Sequence, residues 1–236
     1  EPTRILYALL FSPAAYRLGI QKGSVEEKNA KKVVSAIGIS WFKADAMLDG
    51  DAMYSGIDPV RLAQERKAAL NAQLILDESI PANMREEVEE MEMEARKRAY
   101  EAHTGFMTTF DPATSTFEDI LGYRAKTTGL MGETIVNAMH VVSGKRRDIG
   151  PLRESVLRES LCYQMCDDLV DSVSDYRKGS PNLLYALSLE NPLERGRFEA
   201  ASMNQAIIDT RRPYDIAQLY APNTLLSYMR RFQAMS

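Results

Sequence analysis

One stretch of the sequence places carboxylates at helical spacing. Residues 164, 167, 168, 171 and 175 recur at intervals of three and four, so on a helix they share one face. They are Gln164, Asp167, Asp168, Asp171 and Asp175. Like charges at this spacing repel by roughly 0.2–0.5 kcal/mol per pair, a cost that a bound cation relieves. Because hard oxygen ligands suit Mg²⁺, the pattern predicts a magnesium site.

A second acidic cluster lies much earlier in the chain, at Asp45, Asp49 and Asp51. Asp45 and Asp49 are one helical turn apart, and taken alone they are more typical of a solvated helix end. Both clusters, however, lie near the ends of apolar helical stretches. That position suits two clusters that face each other across a helical bundle and hold Mg²⁺ ions between them. Such a site needs an anionic ligand, and a departing diphosphate fits that need.

The sequence lacks the motifs of several other catalytic mechanisms. The sequence has no GxSxG elbow, no Walker loop and no GxGxxG after a strand. Its two histidines, His103 and His140, are far apart, which disfavours a histidine-rich transition-metal site. Cys162 and Cys166 have no further Cys or His beside them, so we interpret them as small core residues and not as nucleophiles.

The elements that must position the acidic residues are predicted to be helices. A capping-box pattern begins one helix over residues 24 to about 48, and Ser115 with Glu118 begins a longer one that runs to about 142. The helix with the acidic face begins at Pro151 and ends at Gly179. Strand patterns are scarce and no linker stands out. We therefore expect an all-α fold, a single-domain helical bundle over residues 1–236.

Composition and charge limit the classes of partner and the cellular location that we expect. The chain has 236 residues, of which 45% are hydrophobic and 26% charged, as in an ordinary globular protein. Its formal net charge of -4 disfavours nucleic-acid binding. The apolar run over residues 5–11 is too short to span a membrane, and two cysteines make no disulfide framework, so we expect a cytoplasmic protein without a transmembrane segment. The chain begins with Glu1 and not Met, which leaves open whether an N-terminal segment was removed.

Two segments resemble motifs of a known family. Residues 163–171, YQMCDDLVD, are similar to the second aspartate-rich motif, FQxxDDxxD, of the trans-prenyltransferases (polyprenyl diphosphate synthases). Residues 123–127, YRAKT, resemble that family's helix ending in a Lys-Thr pair. The order and spacing of the pieces also agree, and the resemblance covers residues 35–187. It implies an isoprenoid synthase fold, Mg²⁺-assisted ionisation of an allylic prenyl diphosphate, and a homodimer.

The resemblance also implies roles for individual residues. Lys126 and Lys178 become catalytic contacts of the diphosphate, and Gln164 supports the metal ligands. The predicted ligands are the aspartates of both clusters: Asp45, Asp49, Asp167, Asp168, Asp171 and, on the same face, Asp175.

Three further residues are predicted to bind the substrate. Trp41 and Phe42 lie one turn before Asp45, where aromatic rings would face an allylic cation, although rings at this position are more typical of core packing. Asn182 precedes an apolar run in a short tail that is similar to the tail of moenomycin-type prenyltransferases.

The first aspartate-rich motif departs from the family pattern. Ala46 stands in place of its second Asp, and Tyr54 and Ser55 stand in place of the arginines that follow it. The Gly-Lys-Arg stretch that normally precedes the motif and helps to hold isopentenyl diphosphate is absent. We therefore expect the usual site for that second substrate to be missing.

Three functional hypotheses follow. In the first, which the motifs favour, the protein ionises an allylic diphosphate and transfers the cation to an acceptor other than isopentenyl diphosphate. In the second it is a class I terpene cyclase, although the usual NSE pattern is absent and only Asp168, Ser172 and Asp175 have a related spacing. In the third it is a non-catalytic subunit that pairs with an active prenyl synthase, which the intact acidic face over residues 167–175 disfavours.

Overall fold

The computed structural model describes residues 12–48, 82–144 and 148–236, and among these residues it contains helices and no strand. The side chains of residues 12, 13, 39, 40, 42–48 and 83 are outside this description. The α-helices in chain order are α1 Ser12–Leu18, α2 Val25–Leu48, α3 Ala82–Met107, α4 Phe117–Arg124, α5 Leu130–Val142, α6 Gly150–Lys178, α7 Leu183–Leu187, α8 Pro192–Ser202, α9 Gln205–Ile208, α10 Pro213–Tyr220 and α11 Pro222–Met235. The all-α prediction is confirmed.

The chain folds into two compact units. The first takes in residues 1–99 and 130–157, and in it α2 packs along α5. Its core is made by apolar side chains of both helices, among them Ile37, Trp41, Ile135 and Met139, all at most 8% exposed. Each such side chain contributes roughly 1.5–3 kcal/mol when it is removed from water. This packing, and not local propensity, keeps the long helix α2 in place.

The second unit takes in residues 100–129 and 158–236. Its centre is the five-residue helix α7, whose side chains are all buried. Around α7 lie Ile120, Met165 and Tyr228, from α4, α6 and α11. An apolar helix this short is stable only when other elements cover it on every side. The prediction that residues 1–236 form a single domain stays a prediction.

The predicted helix beginning at Ser115 starts one residue later than expected. Thr116 is the N-cap of α4, and its hydroxyl accepts a hydrogen bond from the Asp119 backbone N–H at 3.2 Å while the Asp119 carboxylate accepts one from Thr116 N at 2.9 Å. The proposed box of Ser115 and Glu118 is therefore wrong. The physical reason is that the Ser115 hydroxyl is used elsewhere, because it accepts a hydrogen bond from Asp111 N at 3.1 Å in the preceding turn.

The same predicted helix is not continuous. A π-helical turn, Ala125–Gly129, separates α4 from α5. The Thr127 hydroxyl donates to the backbone carbonyls of Tyr123 at 3.2 Å and Arg124 at 3.4 Å, which satisfies oxygen atoms that the wider turn leaves behind. Single π-helical turns within α-helices are frequent at functional sites, and this one carries Lys126.

Helix α6 ends as the sequence predicts. Gly179 has φ 69°, a left-handed conformation that a glycine adopts without steric cost. Ser180 N donates to the Asp175 carbonyl at 2.9 Å and Gly179 N donates to the Tyr176 carbonyl at 3.2 Å. This pair of bonds is the Schellman motif, which satisfies the last carbonyls of the helix. Among the helices of the described residues, none is long and apolar enough to cross a membrane.

Candidate functional site

The acidic face of α6 runs from the interior of the second unit to its surface. Asp168 is buried, Asp167 and Asp175 are half-buried, and Asp171 is exposed. Their exposure differs because consecutive helical residues such as Asp167 and Asp168 are rotated by about 100° from each other and so face different surroundings. We call these four aspartates the acidic face.

Asp168 is held by three donors. Its Oδ1 accepts hydrogen bonds from Arg124 Nη2 at 3.1 Å and from Gln164 Nε2 at 2.7 Å. Its Oδ2 accepts one from the backbone N–H of Leu183 at 2.8 Å. The pair with Arg124 is also an ion pair, in which the carboxylate side chain is 1% exposed and the guanidinium side chain 12%. The buried charge is therefore compensated by one cation and two further hydrogen bonds.

Gln164 connects the acidic face to the π-helical turn. Its Oε1 accepts a hydrogen bond from the Thr128 hydroxyl at 2.7 Å, and its Nε2 lies 3.4 Å from Asp167 Oδ2 in addition to its bond with Asp168. One carboxamide thus contacts two of the aspartates and a neighbouring element. This arrangement fixes the side-chain orientation of the buried end of the face.

Asn182 is buried and its amide is fully used by the protein. Its Nδ2 donates to the Asp168 carbonyl at 2.7 Å and to Asp175 Oδ2 at 2.8 Å. Its Oδ1 accepts from Leu184 N at 3.0 Å and Tyr185 N at 3.2 Å, which makes it the N-cap of α7. A side-chain amide has two donor hydrogens and two acceptor lone pairs, so these four bonds exhaust it. The role of Asn182 in substrate binding stays a prediction.

Burial and neighbouring charges oppose the ionisation of Asp175. Burial raises the pKa of its carboxyl group to about 7, and the negative charges of Asp168 and Asp171 act in the same direction. The hydrogen bond from Asn182 and the charge of Arg124 lower this pKa but do not offset the burial. A carboxylate in this position gains from any cation that comes close to it.

The two predicted diphosphate contacts are at the surface of the second unit. Lys126 is exposed on the π-helical turn, and Lys178 is exposed at the last residue of α6. Exposed ammonium groups on flexible stems suit phosphate oxygens, which they bind as point charges. Their diphosphate role stays a prediction.

Arg124 is a residue of the site that the sequence did not predict, although it lies inside the YRAKT motif that carries Lys126. In the structure Arg124 Nη2 contacts Asp168 and also donates to the Pro181 carbonyl at 3.1 Å. It therefore joins the end of α4 to α6 and to the turn before α7. The sequence shows a cation two residues before Lys126. Its partner, Asp168, is 44 residues away in sequence, and only the fold brings the two together.

Comparisons with known proteins identify the fold. No protein-family description and no curated protein matches the chain. The structure is similar to the crystal structure of geranylgeranyl pyrophosphate synthetase from Pyrococcus horikoshii Ot3, with a TM-score of 0.60 and 18% sequence identity over 99% of this chain and 85% of that chain. The chain has an isoprenoid synthase fold. At this identity the likeness establishes the architecture, which confirms the fold that the motif resemblance implied.

The structure describes the remaining predicted site residues only in part. They are Trp41, Phe42, Asp45 and Asp49. Asp45 belongs to α2, but its side chain, that of Phe42 and the whole of Asp49 are outside. Trp41 is 8% exposed and packs in the core of the first unit, with its indole N–H buried and without a hydrogen-bond partner. The roles of Trp41, Phe42, Asp45 and Asp49 stay predictions, as do the effects of Ala46, Tyr54 and Ser55.

The donor atoms of the acidic face fit Mg²⁺, because they are carboxylate oxygens. A bound cation would also favour the charged form of the half-buried Asp175, whose ionisation its surroundings oppose. Within residues 12–48, 82–144 and 148–236, however, no three His, Cys, Asp or Glu side chains form a group that could hold a metal ion by themselves. Mg²⁺ is usually bound by one or two carboxylates and completes its octahedron with water and phosphate oxygens.

Proposed function

We propose that the protein is a Mg²⁺-dependent, prenyltransferase-like enzyme that ionises an allylic prenyl diphosphate and transfers the cation to an acceptor other than isopentenyl diphosphate. The observation that carries this proposal is an acidic helix face in an isoprenoid synthase fold, with a pKa of about 7 at the half-buried Asp175. Burial and the charges of Asp168 and Asp171 oppose the ionisation of Asp175, and a cation bound beside it would favour its charged form.

The proposed ligands on α6 are Asp167, Asp171 and Asp175, to which the sequence adds Asp45 and Asp49. When bound, Mg²⁺ supplies positive charge that stabilises a leaving diphosphate. Lys126 and Lys178 bind diphosphate oxygens and take up negative charge as it develops there. Gln164 holds Asp167 and Asp168 in place through its amide hydrogens.

The proposal that the acceptor is not isopentenyl diphosphate follows from the departures in and around the first aspartate-rich motif. The Gly-Lys-Arg stretch that helps to hold isopentenyl diphosphate is absent, and Tyr54 and Ser55 replace the paired arginines, whereas the acidic face needed for ionisation is intact. We further propose, on the resemblance and composition alone, that the enzyme is a cytoplasmic homodimer or pairs with a prenyl synthase subunit.

The proposal is tested by incubating the purified protein with Mg²⁺ and farnesyl or geranylgeranyl diphosphate, with and without isopentenyl diphosphate. Release of pyrophosphate from the allylic substrate alone, with a prenyl alcohol formed as water captures the cation, supports it. A longer prenyl diphosphate when isopentenyl diphosphate is present identifies ordinary chain elongation instead. A cyclic hydrocarbon from one substrate identifies a terpene cyclase instead. Turnover only after an active synthase is added identifies a subunit.

A matched pair of variants ties the activity to the acidic face. Asp171→Asn removes an exposed carboxylate of the face and should lower kcat/KM by about 100-fold, within the range of a lost charge-stabilising group. Glu154→Gln removes an exposed carboxylate from the same helix outside the face and should leave kcat/KM unchanged. Equal effects of the two substitutions would count against the site.

A further inference from the structure

The carboxylate of Asp168 is occupied by the protein itself. Oδ1 accepts from Arg124 and Gln164, and Oδ2 accepts from the Leu183 backbone N–H, at distances between 2.7 and 3.1 Å. A carboxylate offers about four lone-pair positions, and three of them are used here. The side chain of Asp168 is only 1% exposed.

A magnesium ion needs more room than this position leaves. Mg²⁺ requires six oxygen atoms at about 2.0–2.1 Å in an octahedron, and it usually keeps several waters. A side chain that is 1% exposed has no solvent beside it for those waters. Asp171, three residues further along α6, is exposed and has that room.

Asp168 is instead connected by hydrogen bonds to the chain on both sides of Lys126. Arg124, two residues before Lys126, is joined to Asp168. Thr128, two residues after it, donates to Gln164, and Gln164 in turn donates to Asp168. Both ends of the segment that carries Lys126 are thus tied to α6 through the same carboxylate network.

We infer that Asp168 is a positioning residue and not a metal ligand. It acts through Arg124 and Gln164 to fix the backbone around Lys126, and so sets the distance between that ammonium group and the exposed end of the acidic face. The part of this inference that concerns Lys126 rests on the proposed function, because it assigns Lys126 to the diphosphate. The part that concerns Arg124 does not depend on any activity.

The first experiment measures melting temperatures in Mg²⁺-free buffer for the wild type, Arg124→Gln, Asp168→Asn and the double variant. Removal of one partner leaves the other charge poorly compensated, whereas removal of both leaves a neutral pair. The fall in melting temperature of the double variant should therefore be smaller than the sum of the two single falls. Additive falls would overturn the connection through Arg124.

The second experiment separates metal binding from substrate positioning. With inorganic pyrophosphate present, the Mg²⁺ concentration that gives half of the Mg²⁺-induced rise in melting temperature should stay within about twofold of the wild type for Asp168→Asn, whereas Asp171→Asn should raise it about tenfold or more. The KM for the allylic diphosphate should rise in Asp168→Asn about as much as in Lys126→Gln, by about tenfold. Loss of Mg²⁺ response in Asp168→Asn equal to that in Asp171→Asn would overturn the inference.

Two further variants keep the test decisive. If Asp168→Asn does not fold, the Arg124→Gln/Asp168→Asn double variant takes its place in the Mg²⁺ titration, with the same expected result. Glu194→Gln is the control for general loss of stability, because Glu194 is also a buried carboxylate, 4% exposed, that accepts bonds from Asn223 and Thr224 away from the acidic face. A rise in KM in Glu194→Gln as large as in Asp168→Asn would overturn the inference.

The outcomes distinguish this inference from the proposed function. If the wild type shows neither turnover nor any Mg²⁺ response, the proposed function fails, and the melting-temperature cycle still decides whether Asp168 acts through Arg124. If the wild type turns over and Asp168→Asn loses its Mg²⁺ response, the proposed function stands and the positioning role fails.

Discussion

At the scale of single residues, Asp175 shows how burial and neighbouring charges set the chemistry of the acidic face. Its folded pKa of about 7 lies above the ordinary value of 3.8. A raised pKa means that the folded state binds the proton more tightly than the unfolded state does. The contribution of Asp175 to the free energy of unfolding is therefore largest below about pH 4 and is lost as the pH rises to about 7.

Asp175→Asn should remove this pH dependence in Mg²⁺-free protein. We expect the variant to unfold with a free energy about 1–2 kcal/mol higher than that of the wild type above pH 7, after allowance for solvent screening at a half-buried position, and to approach the wild type near pH 4. Asn keeps an oxygen that can accept the bond from Asn182. Urea unfolding with a chelator at acidic and alkaline pH measures the difference.

The control for this prediction is Asp209→Asn, which removes an exposed aspartate at the C-cap of α9. It measures the effect of losing one negative charge away from the acidic face over the same pH range. A constant difference between Asp175→Asn and the wild type from pH 4 to 8 would show that the charge of Asp175 is already compensated.

At the scale of elements, the short helix α7 depends on the residue that begins it. Asn182 caps α7 and ties it to the Asp168 carbonyl and to Asp175. All five residues of α7 are buried in the core of the second unit. The cap therefore stabilises the core as well as one helix terminus.

Asn182→Ala should lower the free energy of unfolding by about 2–4 kcal/mol, because it removes a cap and leaves buried polar groups unsatisfied. Asn204→Ala is the matched control. Asn204 also caps a short helix, α9, but no residue of α9 is buried, so this substitution should cost only about 0.5–1 kcal/mol. Chemical denaturation of both variants measures the difference, and equal losses would contradict the role given to α7.

The end of α6 offers a second prediction at this scale. Gly179 has φ 69° and no atom within 4 Å of the position a Cβ would take, so Gly179→Ala adds backbone strain alone. It should cost about 1 kcal/mol. Gly122→Ala, inside α4 and equally open, should instead stabilise the protein by about 0.5–1 kcal/mol. Thermal unfolding decides the signs, and the same sign for both would contradict the left-handed turn.

At the scale of the whole molecule, a formal net charge of -4 and an acidic face both repel an isolated diphosphate. The proposed function therefore requires metal and diphosphate to bind together. A ligand that binds only the folded state raises the melting temperature by mass action.

Inorganic pyrophosphate should raise the melting temperature of the protein only when Mg²⁺ is present. At a ligand concentration of about 100 times the dissociation constant, the gain corresponds to about 2.7 kcal/mol. Thermal shift with pyrophosphate alone, Mg²⁺ alone and both together measures the coupling, and Glu154→Gln should behave as the wild type does. A full shift with pyrophosphate in the absence of Mg²⁺ would contradict the metal-dependent site.

The sequence by itself determined where α2 begins, where α6 ends and which residues make the acidic face. Periodicity at three and four residues, Ser24 before α2, and Gly179 after α6 are local features, and local sequence decides where a helix begins and ends. The aspartates at 167, 168, 171 and 175 share a face for the same reason. The motif resemblance added the fold, which the comparison with a solved structure confirms.

Only the tertiary structure decided what each aspartate contacts. The sequence treats Asp167, Asp168, Asp171 and Asp175 alike, but packing buries Asp168 against Arg124 and leaves Asp171 exposed. It also inserts the π-helical turn around Lys126, which no local pattern marks. Exposure and long-range pairing depend on which elements pack together, and a charge has a different chemistry in water from the one it has beside a buried guanidinium group.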